Sequence, residues 1–266
     1  MFGVGGESVV EAAYVESLGI GGMVLKGLQL MVAGNPGTAP GIDVILGEDF
    51  FRKTDVEFDL AHGAVRLFQP TDCHEASLAY WTKDVTGEVA IEVVHENQPE
   101  IIVSVKVNGR PMRALLDSGA GASVLMKRDA ASVGLTPDSP GAVPVRSASG
   151  VGAKSVETWI GPIDTLTIGN QTIRDTAIVF GDVFKDATAA DTGSRIPRQV
   201  LGTLQMLLGV DFLRAHRVLI AHSQRKMYFS YAGGPVFQPR AAPPRGASPP
   251  SAPGTERNTD PSPKGE

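Results

Sequence analysis

The chain has 266 residues, 42% hydrophobic and 20% charged, which suits one large or two small globular cores. Its net charge of −5 offers no electrostatic footprint for nucleic acid, and no run of about 20 apolar residues is present to span a bilayer. One cysteine, Cys73, excludes an intrachain disulfide or a Cys-based metal cluster, and His62, His74, His95, His216 and His222 lack metal-ligand spacing.

In chain order, the first signals are β. The start, MFGVGGESVVEAAY, has no basic region followed by an apolar core, so it does not read as a signal peptide. Leu18–Ala33 is the best membrane-span candidate, but Lys26 and several glycines interrupt it. Short apolar runs with two-residue alternation and Gly or Asn turns predict strands. A turn or two of helix is expected in GEDFFRKT, Gly47–Thr54. Residues 69–98 read as a connector with two aromatics and one strand candidate. EIIVSVKVNGRPMRALLDSGA then forms two alternating runs around the turn Asn108-Gly109. SVLMKRDAASVGL predicts a short helix, Ser123–Val133, stopped by Gly134. Another short helix is expected near Asp211–His216, after Leu207-Leu208-Gly209. From Gln238 the chain is Pro, Ser, Ala and charge. It is too poor in apolar surface to offset ordering entropy, so disorder is expected for 238–266.

The chain repeats itself. ILGEDFFRKTDVEFDLAHGAVRLF (Ile45–Phe68) parallels LLGVDFLRAHRVLIAHSQRKMYF (Leu207–Phe229). Leu46 matches Leu208, Gly47 matches Gly209, Asp49 matches Asp211, and Val56 matches Val218. Upstream, Gly3–Glu11 parallels Gly150–Glu157, and LGIGGMVLKGLQLMV parallels LTIGNQTIRDTAIVF. The second copy has extra residues, Val183–Leu204, and a preceding strand pair that the first copy lacks. The expected division is a partial lobe at 1–68, a connector at 69–98 and a complete lobe at 99–232.

The strand pair ends in RALLDSGAGASVL, Arg113–Leu125. A lone carboxylate, Asp117, sits there between apolar runs, and burying one is expensive unless it is paired or hydrogen-bonded. Small residues Ser118, Gly119 and Ala120 follow and let backbone approach closely. A second Asp-Thr-Gly, Asp191–Gly193, has polar flanks and reads as a loop turn. SGVGAKS (Ser149–Ser155) is not a phosphate loop, because Ala148 and Ala153 stand where that motif needs glycines.

The Asp-Ser-Gly-Ala turn, the glycine-containing hairpin SASGVG (Ser147–Gly152) and the Leu207-Leu208-Gly209 strand before a short helix together resemble the retropepsin-like aspartic proteases. The likeness covers Ile101–Tyr231, with Gly3–Phe68 as a half copy. It implies a mainly β fold, a small closed barrel with short helices, and peptide-bond hydrolysis without a cofactor or metal. Asp117 would be catalytic. Ser118, Gly119 and Ala120 would support its turn, and Ser149, Gly150 and Val151 would form a flap over a peptide or protein substrate.

Such chemistry needs two carboxylates sharing one proton. The half copy has no aspartate turn of its own, so the partner is expected from a missing upstream lobe or from a second copy of the chain. Truncation is preferred, since a half lobe with an intact core pattern conflicts with itself. A lost leader would make the compartment periplasmic or extracellular. The competing expectation is a catalytically silent peptide-binding or assembly module of the same fold.

Overall fold

The computed structural model describes residues 2–3, 6–7, 11–20, 22–32, 45–51, 54–71, 76–84, 86–94, 100–149, 155–183 and 203–237. Sixteen strands are present among them. In chain order they are β1 (Phe2–Gly3), β2 (Gly6–Glu7), β3 (Glu11–Ile20), β4 (Met23–Val32), β5 (Asp55–Asp59) and β6 (Ala64–Phe68). Next come β7 (Gly87–Ala90), β8 (Ile102–Val107), β9 (Arg110–Leu116), β10 (Val124–Met126) and β11 (Val143–Ser149). The last are β12 (Ser155–Ile168), β13 (Gln171–Gly181), β14 (Met206–Leu208), β15 (His216–Ala221) and β16 (Lys226–Tyr231). Short helices occupy Glu48–Phe51, Lys127–Ala131 and Val210–Ala215. The fold is mainly β, as expected.

Six strands close a barrel in the order β12-β13-β10-β14-β9-β8, with β8 returning to β12. Closure removes free sheet edges. Alternation along the strands explains which side chains point inward. In β8, Val103, Val105 and Val107 are buried while Ser104 and Lys106 are exposed. Leu125, Phe180, Met206, Leu208 and Phe212 are all fully buried in the same cluster. Each such side chain contributes roughly 1.5–3 kcal/mol of hydrophobic stabilisation. The β8–β9 turn matches its sequence signal. Asn108 (φ 46°) and Gly109 (φ 80°) are both left-handed, as a two-residue hairpin of this kind requires.

One expected helix is shorter than its pattern. Ser123–Val133 splits into strand β10 followed by the helix Lys127–Ala131. Val124, Leu125 and Met126 are buried between β13 and β14, and sheet pairing on both sides outweighs their helical spacing. Gly134 does end the segment, at φ 82°.

A second sheet runs β6-β5-β15-β16-β7. Here residues 55–68 pair directly with the strand that follows the helix Val210–Ala215. The register is Val56↔Ile220, Glu57↔Leu219 and Phe58↔Val218. One face packs Val218, Ile220, Met227 and Phe229 onto the barrel core. The other buries Leu219, Ala221 and Tyr228 under Ala79, Leu78 and Trp81 of the connector. The connector is tied down further by Trp81, whose Nε1–H donates to Ser230 Oγ at 2.8 Å.

That outer face also buries charge. Glu57 (0% exposed) and Asp59 (2%) point into it from β5. Glu57 Oε1 accepts from Arg66 Nη1 and, at 3.0 Å, from Arg217 Nη2. Asp59 accepts from Arg66 at 3.0 Å and pairs with His62 at 2.6 Å. The Arg217 guanidinium lies 4.8 Å from the Trp81 ring centroid and 5.3 Å from that of Tyr80, a cation–π arrangement.

β3 and β4 form a separate two-stranded hairpin. Its tip pairs Ile20 with Met23, and the tip of the β12–β13 hairpin pairs Ile168 with Gln171. Both therefore turn on two residues. In β12–β13, Ile163, Leu166, Ile168, Ile178 and Phe180 are buried. No described side chain of β3 or β4 is fully buried.

Candidate active site

Asp117 is the first residue after β9. β9 runs parallel to β14, with Leu116 opposite Leu208, and β14 lies between β9 and β10. The loop joining β9 to β10, residues 117–123, therefore crosses the end of β14 at Gly209. That crossing explains the glycine. A Cβ there would sit 2.6 Å from the Ala122 backbone and 2.7 Å from the Ala120 carbonyl oxygen.

The crossing is held by main-chain bonds. Asp117 N–H donates to Leu208 C=O at 2.8 Å, and Val210 N–H donates to Ala120 C=O at 2.8 Å. Ala120 N–H closes the turn onto Asp117 C=O at 3.1 Å. Gly119 N–H donates to Asp117 Oδ1 at 2.8 Å and so orients the carboxylate. Asp117 itself is only partly covered, and Ser118 and Gly119 are exposed. The apolar runs on either side are buried, but the turn carries Asp117 out of the core between them.

The structure thus brings together Asp117, Ser118, Gly119 and Ala120. It places Ser149 at the end of β11, paired with Ser155 at the start of β12. This antiparallel stem is the base of the expected flap. Gly150 and Val151 lie outside the described residues, as do Asp191 and the segment 238–266. No group of three or more metal-ligating side chains occurs among the described residues.

Sequence reasoning missed a second layer. Ser123 is fully buried, and its Oγ–H donates to Asp211 Oδ1 at 2.6 Å. Ser123 N–H also reaches both Asp211 oxygens at 2.8 Å. Ser123 Oγ accepts the Gly209 N–H at 2.9 Å. The available signal was the recurrence of Gly-x-Asp-Phe in both copies, at Gly47–Phe50 and Gly209–Phe212.

The site is thus a closed six-stranded barrel with an Asp-Ser-Gly turn braced against an apolar-apolar-Gly strand end. Residues 103–212 match the family model described as aspartyl protease. That match spans the barrel strands from Val103 in β8 through β14 and runs into the helix Val210–Ala215. Among solved structures, the chain is similar to a retropepsin-like aspartic protease from Rickettsia conorii. Identity is 15%, with 55% of this chain and 92% of that one covered, at a TM-score of 0.36. It is similar to the EIAV protease complexed with the inhibitor HBY-793, at 24% identity, 46% and 92% coverage and a TM-score of 0.31. It is also similar to the retroviral protease-like domain of Ddi1 from Leishmania major, at 22% identity, 52% and 93% coverage and a TM-score of 0.32. No curated protein matches the chain.

Proposed function

We propose that the protein is an aspartic-type endopeptidase in which Asp117 supplies one of two catalytic carboxylates. The observation that carries this reading is the Asp117 turn, with its carboxylate oriented by Gly119 N–H and left partly open to solvent. Two such carboxylates face to face cannot both ionise, so they hold one proton between them and titrate as a pair. The ionised member takes a proton from a bound water, which attacks the peptide carbonyl carbon. The protonated member donates to the carbonyl oxygen. Exposed Ser118 is free to bond the opposing turn, and the hairpin of β11 and β12 closes over the peptide and excludes water.

The second carboxylate belongs to another lobe. Two observations support this. The β5–β15 register is self-complementary under the repeat, which equates residue 56 with 218. Val56↔Ile220 and Phe58↔Val218 are then mates about Glu57↔Leu219, the signature of a two-fold contact. The β3–β4 hairpin, matched in sequence to β12–β13, buries none of its described side chains completely. A strand pair like β8–β9 would cover it. That lobe comes from further sequence of the same polypeptide, with a second copy of this chain as the other source.

The alternative is a silent peptide-binding module. It is favoured by the surroundings of Asp117, whose carboxylate accepts a hydrogen bond from Gly119 of its own turn. The deciding experiment is cleavage of a mixed peptide library across a dilution series, with Asp117→Asn beside the unchanged protein. Cleavage that requires Asp117 supports the peptidase. Peptide binding with no cleavage at any concentration, in this chain and in one extended by a second Asp-bearing lobe, establishes the silent module. A specific activity that falls on dilution identifies a second copy as the source of the partner carboxylate. A constant one identifies the same polypeptide.

A further inference from the structure

Gly209 N–H and Leu208 C=O are the two ends of one peptide group. Ser123 Oγ holds the first end at 2.9 Å. The second end accepts the Asp117 N–H at 2.8 Å. Ser123 has one hydroxyl proton, and it is committed to Asp211 at 2.6 Å. Its lone pair therefore faces Gly209 and nothing else is required of it. Asp211 gains a third donor from Phe212 N–H at 2.8 Å. The result is an unbroken series from carboxylate to hydroxyl to peptide group to the Asp117 main chain.

We propose that Asp211 and Ser123 are positioning residues for Asp117. This rests on the peptidase reading above. The ionised carboxylate only accepts, so it fixes the direction of the hydroxyl proton. A charged acceptor also strengthens each bond that follows it in a chain of this kind. The Leu208–Gly209 peptide plane is thereby locked. That plane sets how far Asp117 stands out from β9 and how its carboxylate is aimed across to its partner. A carboxylate that must share a proton with another tolerates little displacement.

The substitution Asp211→Asn keeps the shape but presents an N–H₂ donor toward Ser123 N–H or its hydroxyl. Ser123→Ala removes the hydroxyl and leaves Gly209 N–H without its acceptor. Ser123→Thr keeps it. The test combines kcat and KM, on a peptide that the unchanged protein cleaves, with amide hydrogen exchange at Asp117 and Gly209. The expected result is a kcat lower by about 10- to 100-fold in Ser123→Ala and Asp211→Asn, with KM changed less than about twofold. Exchange at the Asp117 and Gly209 amides should quicken while the β15 amides hold. Ser123→Thr should restore both readouts.

If Asp211→Asn does not fold, Ser123→Ala against Ser123→Thr carries the comparison alone. Unchanged kcat in Ser123→Ala overturns the proposal and leaves the peptidase standing. Exchange that rises equally throughout the barrel also overturns it, since the pair would then act only on stability. If the unchanged protein cleaves no peptide, selective loss of Asp117 protection still supports the brace, while the peptidase reading fails.

Discussion

Glu57 and Leu219 face each other across the antiparallel pair of β5 and β15. The internal repeat makes them equivalent positions, yet one is a carboxylate and the other aliphatic. Leu219 packs against the connector residues Ala79 and Trp81. Glu57, fully buried on the same sheet, is answered by Arg66 and Arg217. The lobe's own Arg217 therefore anchors the hairpin of residues 55–68 onto it.

Removing that anchor should be costly. Arg217→Met leaves Arg66 as the one arginine bonded to Glu57 and strips the guanidinium from Trp81 and Tyr80. The expected loss is about 3 kcal/mol, the lower end for breaking a buried pair. Glu57→Gln in the same background should recover part of it, because no uncompensated charge then remains. Urea unfolding midpoints of the two variants check this. Equal midpoints for Arg217→Met and the unchanged protein would show that Glu57 needs only Arg66.

Acid should destabilise the fold in two stages. Burial of the His216 imidazole, its main influence, lowers its pKa below the ordinary 6.5, although its Nδ1–H bond to Phe212 C=O opposes this. The unfolded chain then takes up that proton first, so stability falls as pH drops below about 6.5. At Asp59 burial acts to raise the pKa, but His62, Arg66 and Arg217 outweigh it and hold the group below its ordinary 3.8. Its contribution is complete above about 3.8 and is lost as pH falls through the lower folded value. Unfolding midpoints measured from neutral to acid pH should show both declines. His216→Gln, which keeps an N–H donor, should flatten the upper one only. A midpoint that rises on acidification toward pH 5 would contradict the first stage.

Asp117→Asn should abolish cleavage while shifting stability by less than about 0.5 kcal/mol, as for a partly exposed side chain. Asp191→Ala, in the polar insert, should leave both unchanged. Activity lost equally in the two variants would mean that the second Asp-Thr-Gly takes part in the chemistry.

Gly209→Ala should disrupt the crossing without straining its own backbone, since φ there is −98°. The new methyl meets fixed main chain at Ala120 and Ala122. A cost of roughly 1–3 kcal/mol is expected for such overpacking, with cleavage lost. Gly121→Ala is the control, because nothing lies within 4 Å of its added Cβ. Melting curves and cleavage rates separate the two. A stable, active Gly209→Ala would mean that the loop has slack.

What was legible in the sequence is local. The Asn108-Gly109 turn, the strand into Asp117 and the Gly134 stop each depend on a few neighbouring residues. What was not legible depends on distant pairing. β14 enters between β9 and β10 from 92 residues away, as the Arg113–Gln205 contact measures. That insertion turns Val124–Met126 into strand and gives Ser123 its partner. Asp211 stood in the repeat as a conserved-looking letter of both copies, but only the crossing at Gly209 shows what it holds. Likewise, Glu57 and Asp59 alternate like solvent-facing residues on a strand. The arginines that bury them lie on β6 and β15.

The pairing of β5 with β15 also sets an order of events during synthesis. Glu57 and Arg217 are 160 residues apart. At ordinary elongation rates the hairpin of residues 55–68 leaves the ribosome on the order of 10–30 seconds before its partner strand is made. Through that interval Val56 and Phe58 have no β15 to cover them, and β5 has an open edge. Closing so long a loop comes late and slowly. The nascent chain therefore passes through a stage in which this edge can be captured by another copy, and the carboxylates of Asp55, Glu57 and Asp59 are the charges on it that discourage such capture.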